Sequence, residues 1–116
     1  MHGVPCSFKD QFAVHGFDNT IGFTHAVGKP AAEDAFLVRA IKAAGGVPFV
    51  KTTVPQTMLS FEASNPLFGT ATNPYDKLRT PGGSTGGEGA LLGADGSPVG
   101  FGSDSAFRES PALDNN

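Results

Sequence analysis

Residues 33–52 read EDAFLVRAIKAAGGVPFVKT and hold the pattern that decides the fold. Apolar side chains recur at three- and four-residue steps from Leu37 to Ala44, which predicts a helix over residues 33–44. Acidic residues in its first turn and a lysine in its last suit the helix dipole, and the two glycines that follow end it. The run VPFVKT at 47–52 then predicts a buried strand.

Another strand is predicted upstream, where the apolar run at 4–8 ends in Lys9 and so places a lysine at the strand's carboxyl end. Strand, helix and strand over residues 4–52 indicate an α/β unit with parallel pairing. A further strand at 97–102 is expected beside or near the 47–52 strand, with the helix on one face of the sheet. The predicted fold class is therefore α/β, a partial mixed sheet with flanking helices.

Two shorter helices are predicted, one at 55–61 that begins at a proline and one at about 88–92. Residues 105–116 carry charge and proline without periodicity, which is typical of a disordered tail. A chain of 116 residues has room for one domain at most. The expected organisation is a partial domain over residues 1–104 followed by a divergent tail.

The charge balance excludes several classes of partner. Eight basic and eleven acidic side chains give a net charge of −3, so we expect neither nucleic acid nor an anionic membrane as a partner. No apolar run approaches the ~18 residues of a membrane-spanning helix, and Met1 is not followed by a signal peptide pattern, so a cytoplasmic location is favoured. The single cysteine, Cys6, is expected to be a buried thiol rather than a nucleophile.

The densest glycine cluster, TPGGSTGGEG at residues 80–89, could in principle cradle a phosphate. It lacks the lysine of a P-loop and the third glycine of a dinucleotide-binding fingerprint. The three histidines lie on separate loops without the spacing of metal ligands. We therefore expect no cofactor and no metal.

Three stretches of the chain together resemble the amidase signature family of serine hydrolases. They are residues 3–10 (GVPCSFKD), 65–69 (NPLFG) and 81–90 (PGGSTGGEGA). The resemblance is collinear over residues 2–104, and the run VPQTMLSF at 54–61 is similar to fatty-acid amide hydrolases in particular. The resemblance implies that the chain is a piece of a larger amidase-signature domain. It also implies that the enzyme's substrates are small amides or fatty-acid amides.

The resemblance also implies a Ser–Ser–Lys triad, in which a neutral lysine accepts a proton from a nucleophilic serine through a bridging serine. Lys9 matches the family's lysine, and Ser84 matches its bridging serine, which in the family follows a cis peptide bond. We therefore expect the two side chains to lie within hydrogen-bond reach, about 2.6 to 3.2 Å. A lysine serves as a base only where its surroundings lower its pKa. Without the resemblance, Lys9 would be interpreted as a surface lysine and the glycine cluster as a tight connection.

Met58 matches a residue of the family's acyl-chain channel, and a place in the apolar core is the alternative role. After Asp104 the chain departs from the family, which continues with a glycine-rich segment that supplies the nucleophilic serine and the oxyanion hole. Two alignments remain open: Ser105 is the nucleophile with its preceding glycines deleted, or Ser105 begins a Ser-Ala-Phe run that follows the missing segment. The second keeps three consecutive residues and is favoured. Little catalysis is expected of such a chain, because losing a triad serine costs about a million-fold in turnover.

Overall fold

The computed structural model describes residues 1–104. In chain order its helices and strands are β1 (Pro5–Lys9), α1 (Phe36–Ala43), β2 (Val47–Thr52), β3 (Ser64–Asn65), β4 (Gly69–Thr70), α2 (Gly86–Gly93) and β5 (Gly100–Phe101). Short 3₁₀ turns lie at Thr24–Ala26 and Gln56–Met58. The rest of the described chain consists of loops.

Three of the strands form one sheet in the order β2-β1-β5, and β1 pairs in parallel with both neighbours. The α/β class is thus confirmed, as is the expectation that the segments around residues 47–52 and 97–102 are near neighbours. The expected mixture of pairing directions is not present in this sheet within residues 1–104. Antiparallel strand pairing there occurs in the separate β3-β4 pair. Parallel pairing follows because α1 returns the chain over the sheet to begin β2 on the same side as β1.

The core lies between α1 and β1 and is small. Cys6, Phe8 and Val38 are fully buried, and the ring of Phe8 stacks on that of Phe101 with 5.0 Å between centroids. Cys6 is the buried thiol that its apolar context predicted. Val38 is the buried residue of α1 and belongs to the same apolar cluster as Cys6 and Phe8 of β1. The opposite face of the helix meets solvent.

Helix α1 is shorter than the predicted 33–44 because Asp34 has other partners. One carboxylate oxygen of Asp34 accepts a hydrogen bond from the His15 backbone N–H at 2.7 Å, and the other contacts Lys42 Nζ at 2.6 Å. The Lys42 contact, followed by the His15 N–H, lowers the pKa of the Asp34 carboxyl. These contacts tie the loop before α1 to the helix's last turn.

The predicted helix at 55–61 is wrong: the structure has a single 3₁₀ turn at Gln56–Met58. Thr57 and Met58 have φ angles of 63° and 60°, in the left-handed region that a continuous helix excludes. The Val54 carbonyl, which would accept the first hydrogen bond of a helix that begins at residue 55, instead accepts one from Asn65 Nδ2 at 2.8 Å. The predicted 88–92 helix exists and is longer, Gly86–Gly93.

Candidate active site

Lys9 ends strand β1 beneath the turn that precedes α2, and its side chain is 1% exposed. Its Nζ lies 2.7 Å from Ser84 Oγ and 3.0 Å from Thr85 Oγ1. From the other side Ser103 offers its carbonyl oxygen at 3.0 Å and its Oγ at 3.2 Å. The predicted proximity of Lys9 and Ser84 is confirmed, and the structure adds two residues to the lysine's surroundings.

Close backbone packing holds Ser84 in place. A Cβ on Gly83 would lie 2.5 Å from the Ser60 carbonyl oxygen and 2.6 Å from the Phe61 carbonyl carbon, so only glycine fits there. The Gly83–Ser84 peptide bond is cis, as the family resemblance implied. Helix α2 begins two residues later and carries the turn against the ends of β1 and β2.

Hydrogen-bond directions around Lys9 follow from the acceptors. The Thr85 hydroxyl donates to the Ser103 carbonyl oxygen at 2.7 Å, which uses its single hydrogen. Thr85 Oγ1 therefore accepts a hydrogen bond from Lys9, as the Ser103 carbonyl also does. Burial lowers the pKa of the Lys9 ammonium, while the Asp104 carboxylate acts in the opposite direction. A lysine in this setting is more often neutral near pH 7 than one in water, and the neutral amine is the form that can accept a proton.

A small cavity of about 110 Å³ opens beside Ser84. Its lining includes Met58, Leu59 and Phe61, all contributed by the segment that was predicted to be a helix. Met58 is half-buried, and its left-handed backbone places it on the same cavity as Ser84. Met58 is thus a neighbour of the site rather than a residue of the core.

A family model described as Amidase matches residues 1–106. The chain belongs to the amidase family. It is 54% identical over 104 residues to fatty acid amide hydrolase 1 of Caenorhabditis elegans, and 51% identical over the same length to fatty-acid amide hydrolase 1 of Sus scrofa. Each alignment covers 90% of this chain and 18% of the relative, so the chain spans about a fifth of the relatives' length.

A solved structure of fatty acid amide hydrolase superposes on this amidase-family chain with a TM-score of 0.85 and 32% identity. The superposition covers 89% of this chain and 18% of the solved one. Both the α/β class and the predicted family are therefore confirmed. The catalytic roles of Lys9 and Ser84 and the substrate-binding role of Met58 remain predictions, and Ser105 lies outside the described residues.

Sequence reasoning missed a buried carboxylate of this chain, that of Glu88, which is 2% exposed in the first turn of α2. Its two oxygens accept hydrogen bonds from Ser7 Oγ at 2.6 Å and Thr52 Oγ1 at 2.7 Å. Glu88 thereby fastens α2 to both β1 and β2. An acid among glycines was a visible signal, but nothing local in the sequence named its partners.

Gln11 and Ser103 were missed as well, since neither belongs to a motif that sequence analysis singled out. Ser103 Oγ donates to Gln11 Oε1 at 2.6 Å while it also contacts Lys9. Within residues 1–104 there is no cluster of His, Cys, Asp or Glu placed to hold a metal ion. Among the described helices, none has the length and apolar character needed to cross a bilayer.

Proposed function

We propose that this chain carries the lysine and the bridging serine of an enzyme that hydrolyses carbon–nitrogen amide bonds. The contact of 2.7 Å between Lys9 Nζ and Ser84 Oγ carries the proposal, because it joins a potential base to a hydroxyl in a buried setting. Burial favours the neutral amine, which is the form that can accept a proton.

In the proposed reaction, neutral Lys9 accepts the Ser84 proton while Ser84 takes the proton of a nucleophilic serine. That serine oxygen bonds to the amide carbonyl carbon and forms a tetrahedral intermediate. The carbon–nitrogen bond then breaks, the relay returns the proton to the departing amine, and an acyl ester remains. Water hydrolyses the ester through the same relay in reverse. The nucleophile is not assigned among residues 1–104, and Ser105 is the first serine that follows them.

The proposed substrates are fatty-acid amides. Met58, Leu59 and Phe61 are among the residues that line the cavity beside Ser84, and their apolar side chains suit the part of an acyl chain that lies next to the relay. The names of the two curated relatives, both fatty-acid amide hydrolases, point to the same class. Met58 is proposed to contact the acyl chain.

The test measures Lys9 directly, so it does not depend on turnover. The chain has five lysines, and Lys9→Met identifies the Lys9 ¹³Cε signal in the spectrum of ¹³C-lysine-labelled chain. We expect Lys9 to titrate below the ordinary value of about 10.4 and Lys42, on an exposed helix end, to serve as the internal control. Ser84→Ala should change the titration of Lys9 and leave that of Lys42 unchanged. Titration of Lys9 at its ordinary value, or indifference to Ser84→Ala, would contradict the proposal.

A hydrolysis assay accompanies the titration. Ammonia release from oleamide and from acetamide is measured for the native chain, Lys9→Met and the control Lys42→Met. Any turnover should fall by a factor of about 10² to 10⁴ in Lys9→Met, because removing a general base has an effect of that size. It should persist in Lys42→Met. Turnover that survives Lys9→Met would remove Lys9 from the relay.

A second candidate function is binding without catalysis, by an inactive remnant that holds an acyl ligand or a protein partner. The observation that favours it is a cleft of about 770 Å³ beside β2, whose walls include Val50, Leu67 and Phe68. Saturable binding of a fatty acid by calorimetry, together with no hydrolysis of oleamide, would favour this candidate over the first.

A further inference from the structure

Gln11 lies two residues beyond Lys9, at the point where the chain leaves β1, and is half-buried. Its Oε1 accepts the hydrogen of Ser103 Oγ at 2.6 Å. Ser103 in turn faces Lys9 with two oxygens, its carbonyl at 3.0 Å and its Oγ at 3.2 Å. Gln11 therefore reaches the lysine through one intervening side chain.

The direction of each hydrogen bond gives Gln11 its effect. A hydroxyl group has one hydrogen, and that of Ser103 points at Gln11 while that of Thr85 points at the Ser103 carbonyl. Both hydroxyl oxygens, and the carbonyl, are thus presented to Lys9 Nζ as acceptors. Of the three hydroxyl neighbours of Nζ, Ser84 is the one that donates its hydrogen to no other group within residues 1–104.

We propose that Gln11 is a positioning residue of the lysine site: by accepting the Ser103 hydrogen it keeps Ser103 an acceptor, so that Lys9 exchanges its proton with Ser84. The inference rests on the proposed function of Lys9 and Ser84. In this arrangement the two N–H groups of the neutral Lys9 amine point at Thr85 and Ser103. The nitrogen lone pair is then directed at the Ser84 hydroxyl.

Charged groups near Lys9 do not change in the variants used below. The Asp104 carboxylate acts on Lys9 directly. Asp10, next in sequence, is paired with Lys51 at 2.7 Å, and Glu88 on α2 accepts hydrogen bonds from two hydroxyls on the sheet. A change in the titration of Lys9 on neutral substitution of Gln11 therefore reports the hydrogen-bond network rather than a new charge.

The experiment is the ¹³Cε titration of Lys9 in the full chain carrying Gln11→Met. Loss of the acceptor frees the Ser103 hydroxyl to rotate and donate to the neutral amine, which favours that form. We expect the pKa of Lys9 to fall by about half a pH unit to one pH unit, the size of one hydrogen bond. Gln56→Met is the matched control, because Gln56 bonds to the Gly22 carbonyl and should leave Lys9 unchanged.

Ser103→Ala provides the decisive comparison. If Gln11 acts through Ser103, then Gln11→Met has no further effect on Lys9 in the Ser103→Ala background. Equal shifts in both backgrounds, or no shift in either, would overturn the inference. Gln11→Leu also removes the acceptor and adds no charge, so it replaces Gln11→Met in the same comparison if that variant does not fold. An ordinary pKa in the native chain contradicts the proposed function alone, because the Gln11 inference is judged on the difference between variants.

Discussion

Gly87→Ala tests whether the contact between α2 and β2 holds the candidate site together. Gly87 is buried in the first turn of α2. A Cβ on Gly87 would overlap the Thr53 carbonyl oxygen and lie 2.7 Å from the Thr53 nitrogen and 3.1 Å from Thr52 Cβ. These are mainly backbone atoms at the end of a paired strand, so they cannot rotate away as a side chain would. The added methyl group must push α2 off the sheet.

The magnitude is the balance of two effects. Forcing a methyl group into a packed contact costs about 1 to 3 kcal/mol. Alanine in place of glycine favours a helix by up to about 1 kcal/mol. Subtracting the second effect from the first leaves a loss of about 0 to 3 kcal/mol in the free energy of unfolding, and the overlap with backbone atoms favours the upper half of that range. Gly89→Ala is the matched control in the same helix, because Gly89 is exposed and its nearest neighbour would be the Pro81 oxygen at 3.3 Å. It should change the free energy by less than about 1 kcal/mol, because the helix preference for alanine offsets the mild crowding against the Pro81 oxygen.

Urea unfolding of the native chain and both variants gives the free energies of unfolding. Equal m-values would show that the variants differ in stability and not in the amount of surface that unfolding exposes. The Lys9 titration should also change in Gly87→Ala, because Ser84 moves with the start of α2. The reasoning fails if Gly87→Ala is as stable as Gly89→Ala. It fails equally if Gly87→Ala is destabilised while Lys9 titrates as in the native chain.

Three further outcomes are expected. Because burial lowers the pKa of Lys9, the unfolded chain binds this proton more tightly than the folded one. Any stability advantage of Lys9→Met over the native chain should therefore shrink as pH rises from the lowered pKa toward about 10.4. Denaturant unfolding at several pH values measures this advantage, and an advantage that grows with pH would contradict the prediction. Glu88→Ala leaves the hydroxyls of Ser7 and Thr52 without their main acceptor and should cost about 2 kcal/mol in the same assay, so an unchanged midpoint would contradict the anchoring role. A fluorophosphonate probe should not label Ser105, whose neighbours are not the glycines that an oxyanion hole needs; labelling of folded chain that disappears in Ser105→Ala would make Ser105 the nucleophile.

Sequence patterns predicted the strands and helices that are determined by residues close together in the chain. The strand at Val47–Thr52 was predicted to the residue, since a glycine pair and an apolar run bound it. The helix before it was placed correctly but was predicted three residues too long at its start, where Asp34 bonds to His15 and Lys42, and one residue too long at its end. The segment at 55–61 was predicted as a helix from its starting proline, but its backbone packs closely against Gly83, and the carbonyl just before it bonds to Asn65.

The candidate site also has a part that the sequence predicted and a part that it did not. The sequence by itself determined the strand that carries Lys9, the glycine-rich turn that carries Ser84 and, through family resemblance, that the two should meet. Only the tertiary structure decided which neighbours surround the lysine: Ser103 reaches it from beyond β5, and Gln11 orients Ser103. Periodicity and turn composition report forces between residues close in the chain. Hydrogen-bond partners are chosen by proximity in space, which for these residues follows from how three parallel strands bring their carboxyl ends together.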